Sequence, residues 1–99
     1  MTAGERLILL KSDLQLLTTA NDDLLAHLLN VGEANIQLEG ITDDGSTEYN
    51  AIVISYAAYL FRKRAASSAG GKTGETAMPR FLRWQINNLL LHQKGGGQA

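Results

Sequence analysis

Residues 51–61 read AIVISYAAYLF, a run of eleven residues without a charge. Ile52, Val53 and Ile54 precede Ser55, and Tyr56, Tyr59 and Phe61 follow it. At helical spacing one thin polar line remains, Glu48, Ser55 and Arg62, at i, i+7 and i+14. A helix that is apolar nearly all round is a buried one. The run is too short to cross a bilayer, which takes about 20 residues. The expectation is an all-α fold, a small four-helix domain around a buried central helix over about residues 47–64.

Working outward, DDGST (43–47) supplies a turn and an N-cap for the central helix. It lacks the alternating acids and distal glutamate of a calcium-binding loop. Gly40 stops the helix before it. That second helix starts at Thr18 or Thr19; Thr19 and Asp22 have capping-box spacing, and Asp22 and Asp23 suit the positive end of the dipole. Its apolar half holds Leu24, Leu25, Leu28, Leu29, Val31, Ile36 and Leu38; its polar half holds Asp22, Asp23, Asn30, Glu33 and Gln37. Gly32 falls on the apolar half, where it costs about 1 kcal/mol of helix propensity against alanine and allows another helix to come close. Asn35 also falls there and needs a partner if buried. A first helix over 5–17 places Leu7, Leu10, Leu14 and Leu17 on one stripe, with Leu9 and Leu16 opposite.

On the other side, Arg62, Lys63 and Arg64 end the central helix, where cations suit the dipole. Residues 65–77 (AASSAGGKTGETA) offer no side chain to anchor a core and predict a flexible loop. Pro79 opens a last helix. Leu82, Ile86 and Leu89 form its core face, Trp84 and Leu91 a second apolar face, and Arg80, Arg83, Asn87 and Lys94 lie between. Residues 95–99 (GGGQA) predict a disordered tail, so the domain runs over 1–94. No strand and no internal repeat is legible.

At 99 residues the chain is one small domain, marginal alone unless disulfides, metals or oligomerisation assist. It has no cysteine and two histidines, which leaves oligomerisation. No leader is visible at the start, and a cytoplasmic origin is expected. The net charge of −1 hides an asymmetry. Residues 1–61 hold two basic residues against nine acids, and residues 62–99 hold seven against one. Either the two halves neutralise each other within one fold, or the acidic surface of one copy meets the basic surface of the next, a head-to-tail contact that closes into a ring where the rotation permits.

Residues 66–73 (ASSAGGKT) match a relaxed phosphate-loop pattern, but the chemistry needs a loop between a buried strand and a helix. Here a helix precedes it, and no hydrophobic strand ending in aspartate exists to hold a metal. No nucleophile elbow, cysteine nucleophile or paired catalytic carboxylates are legible. His27, one turn after Asp23, reads as a surface pair, and His92 as a cation at a helix end. An enzyme is not expected. A small helical DNA-binding regulator is the alternative reading: Arg80, Arg83, Gln85, Asn87 and Asn88 share one helix, and Arg62–Arg64 could hold phosphates. Against it stand the slightly acidic whole chain and the lack of a glycine turn before the last helix.

Three segments, LLKSDLQLLTTANDDLLAHLLNVGEANIQLEGI (9–41), YAAYLFRKR (56–64) and MPRFLRWQINNLLLHQK (78–94), resemble the small head–tail connector (adaptor) proteins of long-tailed phages and prophages, long labelled DNA-packaging proteins. The resemblance covers about residues 7–94, and its specific parts are 56–64 and 78–88. It implies an all-α structural protein that forms a ring, about twelve-fold in the virion, under the portal. The implied partners are further copies, the portal protein and the next head-completion or tail protein. The implied location is the virion head–tail junction, with host cytoplasm during assembly. It implies no enzyme, metal, cofactor or membrane, and only loose, non-specific contact with DNA in the channel. The loop 65–77 is longer and richer in glycine than the family pattern, and is expected to order on assembly. The expected interface, with subunits or portal, uses Arg62, Lys63, Arg64, Arg80, Arg83, Trp84 and Leu91 against Asp22, Asp23 and Glu33.

Overall fold

The computed structural model describes residues 1–68 and 78–96, and among these the chain is all helix and connecting turns. The helices are α1 (Ala3–Leu14), α2 (Asp22–Leu38), α3 (Thr47–Ser68) and α4 (Arg80–Gly96). The central position of α3 is as expected: it packs against α2, α1 and α4. Tyr49, Ile52, Val53, Tyr56, Ala57 and Ala58 are buried, while Glu48 and Arg62 on the polar line are exposed. None of the described helices is long and apolar enough to cross a membrane.

Gly32 of α2 is buried against α3. A Cβ built there would stand 3.4 Å from the Tyr56 Cβ and 3.5 Å from both the Val53 carbonyl oxygen and the Ala57 nitrogen. Ser46 caps α3, its hydroxyl accepting from the Tyr49 N–H at 3.0 Å. The turn before it is held by Asp43 and Asp44, whose carboxylates accept from the N–H groups of Gly45 and Ser46. Gly45 takes φ +70°, a conformation glycine adopts without strain.

Several boundaries differ from the sequence expectation. α1 starts earlier, through a capping box between Thr2 and Glu5, and ends at Leu14 rather than residue 17. Gln15 takes the left-handed conformation at φ 58°. Its N–H donates to the Ser12 carbonyl, and the Leu16 N–H donates to Lys11, the paired bonds of a Schellman stop. That reversal turns Leu16 onto the core and leaves Leu17 at 96 % exposure, the opposite of the periodic expectation. α2 is capped by Asn21 without a side-chain bond, not by Thr18 or Thr19. Its end repeats the Schellman pattern: Gly40 donates to Gln37 and Ile41 to Ile36, with both isoleucines buried. Leu38 is exposed, because it lies about 200° round the helix from Ile36.

α3 continues through residues 65–68, which glycine and serine content had assigned to the loop. The rest of the expected loop lies outside the described residues. The phosphate-loop-like pattern at 66–73 therefore begins on a helix and continues outside the described residues. α4 likewise runs through Gly96, two residues into the expected tail; residues 97–99 lie outside the described residues.

Candidate assembly interface

α4 is two-sided. Leu82, Ile86 and Leu89 are buried against the core, with Leu90 half-buried beside them. On the far side Phe81, Trp84 and Leu91 stand 66 %, 59 % and 69 % exposed. These sit at i, i+3 and i+10, and the i+7 position between them is Asn88, whose amide donates to the Trp84 carbonyl at 2.8 Å. The Phe81 and Trp84 rings stack at 5.6 Å between centroids and 19° between planes. Exposing stacked aromatics to water forgoes hydrophobic stabilisation, on the order of 1.5–3 kcal/mol for each large side chain left uncovered. The sequence reading named Trp84 and Leu91 but missed Phe81; its i−3 spacing from Trp84 was the available signal.

Two contacts fix how α4 presents this stripe. The Gln93 side chain pairs with the backbone of Thr42, accepting from its N–H at 2.8 Å and donating to its carbonyl at 2.7 Å. The same amide reaches Asp44 at 3.2 Å. Hydrogen bonds from Ser46 and Gln93 hold the Asp44 carboxyl below its usual range. Arg83 grips Glu39 with both terminal nitrogens, at 2.7 and 3.1 Å. α4 is thus tied to the end of α2 and to the α2–α3 turn. Between α4 and the start of α3 lies a groove of about 500 Å³, with Ile52 and Leu89 among its lining and Asp44, Glu48 and His92 adding polar groups.

The expected charged interface residues divide into committed and open groups. Arg83 is committed to Glu39, Asp22 to Lys11 at 2.8 Å, and Arg62 to Asp13 at 3.4 Å. Glu33 departs furthest from expectation. It is turned inward, accepting from Arg6 at 3.0 Å and from the Tyr49 hydroxyl at 2.7 Å. Arg6 also donates to Asn50 at 2.8 Å, and Gln37 donates to the Tyr49 hydroxyl at 3.0 Å. Partial burial pushes the Glu33 carboxyl up, but the Tyr49 hydroxyl and Arg6 outweigh it and leave it below its ordinary value. Burial, then the bond to Glu33, pushes the Tyr49 phenol up to about 12. This network joins α1, α2 and α3, and Glu33 is not an open acid on the α2 surface. Of the ion pairs among the described residues, Arg62–Asp13 and Arg83–Glu39 join the acidic and basic halves within one fold, while Arg6–Glu33 and Lys11–Asp22 lie inside the acidic half.

Open positions are Lys63, Arg64, Arg80, Trp84, Leu91 and Asp23, all exposed. Lys63 stands over the Tyr59 ring at 5.8 Å. His27 and His92 are exposed, and no ion pair links His27 to Asp23. The DNA-reading set on α4 is broken up: Arg83 is paired, Gln85 is half-buried, and Asn88 bonds its own helix. Among the described residues no group of three or more histidine or acidic side chains is placed to hold a metal ion.

A second exposed apolar surface lies on α1, where Ile8 is 68 % exposed and Leu9 stands beside it. Comparison with protein-family models, with curated proteins and with solved structures found no match to this chain.

Proposed function

We propose that this chain is a structural component of a phage or prophage virion, forming a ring that joins the head portal to the tail at the end of DNA packaging. The observation that carries the reading is α4, anchored by one apolar face and offering Phe81, Trp84 and Leu91 on the other. Stacked exposed aromatics on a helix fixed at both ends form a rigid patch, and such patches mark surfaces covered in an assembly. Of the two most specific segments that resemble the connector family, 56–64 and 78–88, the second holds Phe81 and Trp84 of this patch.

In this reading subunits stand side by side, with the α4 stripe forming the apolar part of a contact and Lys63, Arg64 and Arg80 supplying charge. Portal protein lies above the ring, and the next head-completion or tail protein lies below it. DNA passes the channel with loose contact only, since tight binding would oppose ejection. The work done is positional: no bond is made or broken.

The test is electron microscopy of lysates from a phage or prophage that encodes this chain, with the gene deleted. Separate heads and tails that join when the wild-type gene is restored, but not with Trp84→Asp, are expected. Normal virions after deletion would overturn the reading. A discrete dimer that shifts a defined DNA duplex would favour the regulator instead.

A further inference from the structure

The surface that receives the α4 stripe is not named by the reading above. We infer that it is the outward face of α1 on a second copy of this chain, around Ile8 and Leu9. The inference rests on the assembly reading and specifies its contact.

The first reason is charge. α4 carries no acid, and its stripe is bordered by Arg80 and Lys94, both exposed and without an ion pair among the described residues. α1 holds two cations, but both turn inward, Arg6 to Glu33 and Lys11 to Asp22. Its outward face therefore keeps Ile8 and Leu9 with exposed Glu5, and Asp13 at the far end pairs only with an exposed Arg62 at 3.4 Å. An apolar stripe bordered by Arg80 and Lys94 meets an apolar face bordered by Glu5, which carries no ion pair among the described residues, and this is electrostatic complementarity.

The second reason is symmetry. Antiparallel packing of α4 on α4 would bring Arg80 of one copy beside Lys94 of the other, an arrangement of like charges. The two apolar surfaces consist of different residues on different helices, so each copy presents two unlike faces. Joining unlike faces is a head-to-tail contact, which propagates and closes into a ring where the rotation permits.

The chain lacks cysteine, so engineered thiols report without background. Ser12→Cys on the α1 face and Asn88→Cys in the α4 stripe leave Ile8, Trp84 and Leu91 intact. Mixed and oxidised at high concentration, the two single variants are expected to give a mixed disulfide dimer in excess of either homodimer, because a disulfide needs close, aligned Cβ atoms. The double variant is expected to give a ladder or closed ring. Ile8→Asp and Trp84→Asp should each weaken self-association by about thirtyfold or more, while an equal mixture of the two yields a one-to-one dimer through the remaining intact pair. Cross-linking mainly between two Asn88→Cys copies, or no mixed product up to the solubility limit, would overturn the inference. Heads and tails that fail to join after gene deletion, with no Ser12–Asn88 cross-link, would remove this contact and leave the connector reading standing. The cross-link with normal virions after deletion would do the reverse.

Discussion

Gly32 and Gly40 should respond to alanine with opposite signs. Gly32 is helical, and the Cβ of an alanine would meet Tyr56, Val53 and Ala57 at 3.4–3.5 Å, ordinary contact. Nothing must move, so Gly32→Ala gains the helix propensity that glycine forgoes, about 0.5–1 kcal/mol. Gly40 has φ +106°, and its Cβ would stand 3.3 Å from Leu90 Cδ1 of α4. Gly40→Ala loses a conformation that L-residues rarely adopt and crowds the α4 contact, for a cost of about 1–2 kcal/mol. Gly32→Leu should cost more than either, because γ and δ carbons would run into the α3 backbone. Urea unfolding followed by far-UV circular dichroism, under dilute conditions, reads these differences. In thermal melts each kcal/mol corresponds to about 4–8 °C at this chain length. A destabilised Gly32→Ala would refute the reasoning, since it would mean α2 and α3 approach more closely than these distances. So would a neutral Gly32→Leu, which would mean they do not touch.

Two further outcomes follow from the packing. Tyr49→Phe removes the hydroxyl that donates to Glu33, a bond to a charged acceptor, and should cost about 1.5–3 kcal/mol at neutral pH. Because the folded Glu33 pKa lies below its ordinary 4.5, the stability it contributes is present above that value and is lost as pH falls through the folded pKa. The Tyr49→Phe penalty should therefore shrink below pH 4.5 in urea melts taken across the acid range; a penalty constant with pH would place the cost elsewhere. In the α1–α2 link, Leu16→Ala should destabilise by about 1–2 kcal/mol, since its side chain packs on the core, whereas Leu17→Ser stays within about 0.5 kcal/mol. Equal effects in the same melts would mean that Leu16 is not turned inward.

Much of the helical frame was legible in residue order. The uncharged run at 51–61 required a buried helix, Gly40 required a stop, DDGST required a capped turn, and Leu82, Ile86 and Leu89 defined the inner face of α4. These are local facts: periodicity and turn chemistry act within a few residues. The all-α class and the central place of α3 followed from them. Composition misled at both ends of long helices, where 65–68 and Gly95–Gly96 read as loop and tail yet continue α3 and α4.

What only the tertiary structure decided depends on residues far apart in the chain. Periodicity assigns a face only while the helix continues; the left-handed Gln15 broke α1 and exchanged the roles of Leu16 and Leu17. Charge sign does not reveal a partner. Glu33 meets Arg6 because α1 packs on α2, and Glu39 meets Arg83 because α2 and α4 both pack on α3; the first pair turns inward, while the second is matched but stays partly exposed. On α4 residue order showed two apolar faces, and the tertiary structure added Phe81 to the open one, stacked on Trp84, because packing on α3 covers only the side that carries Leu82, Ile86 and Leu89.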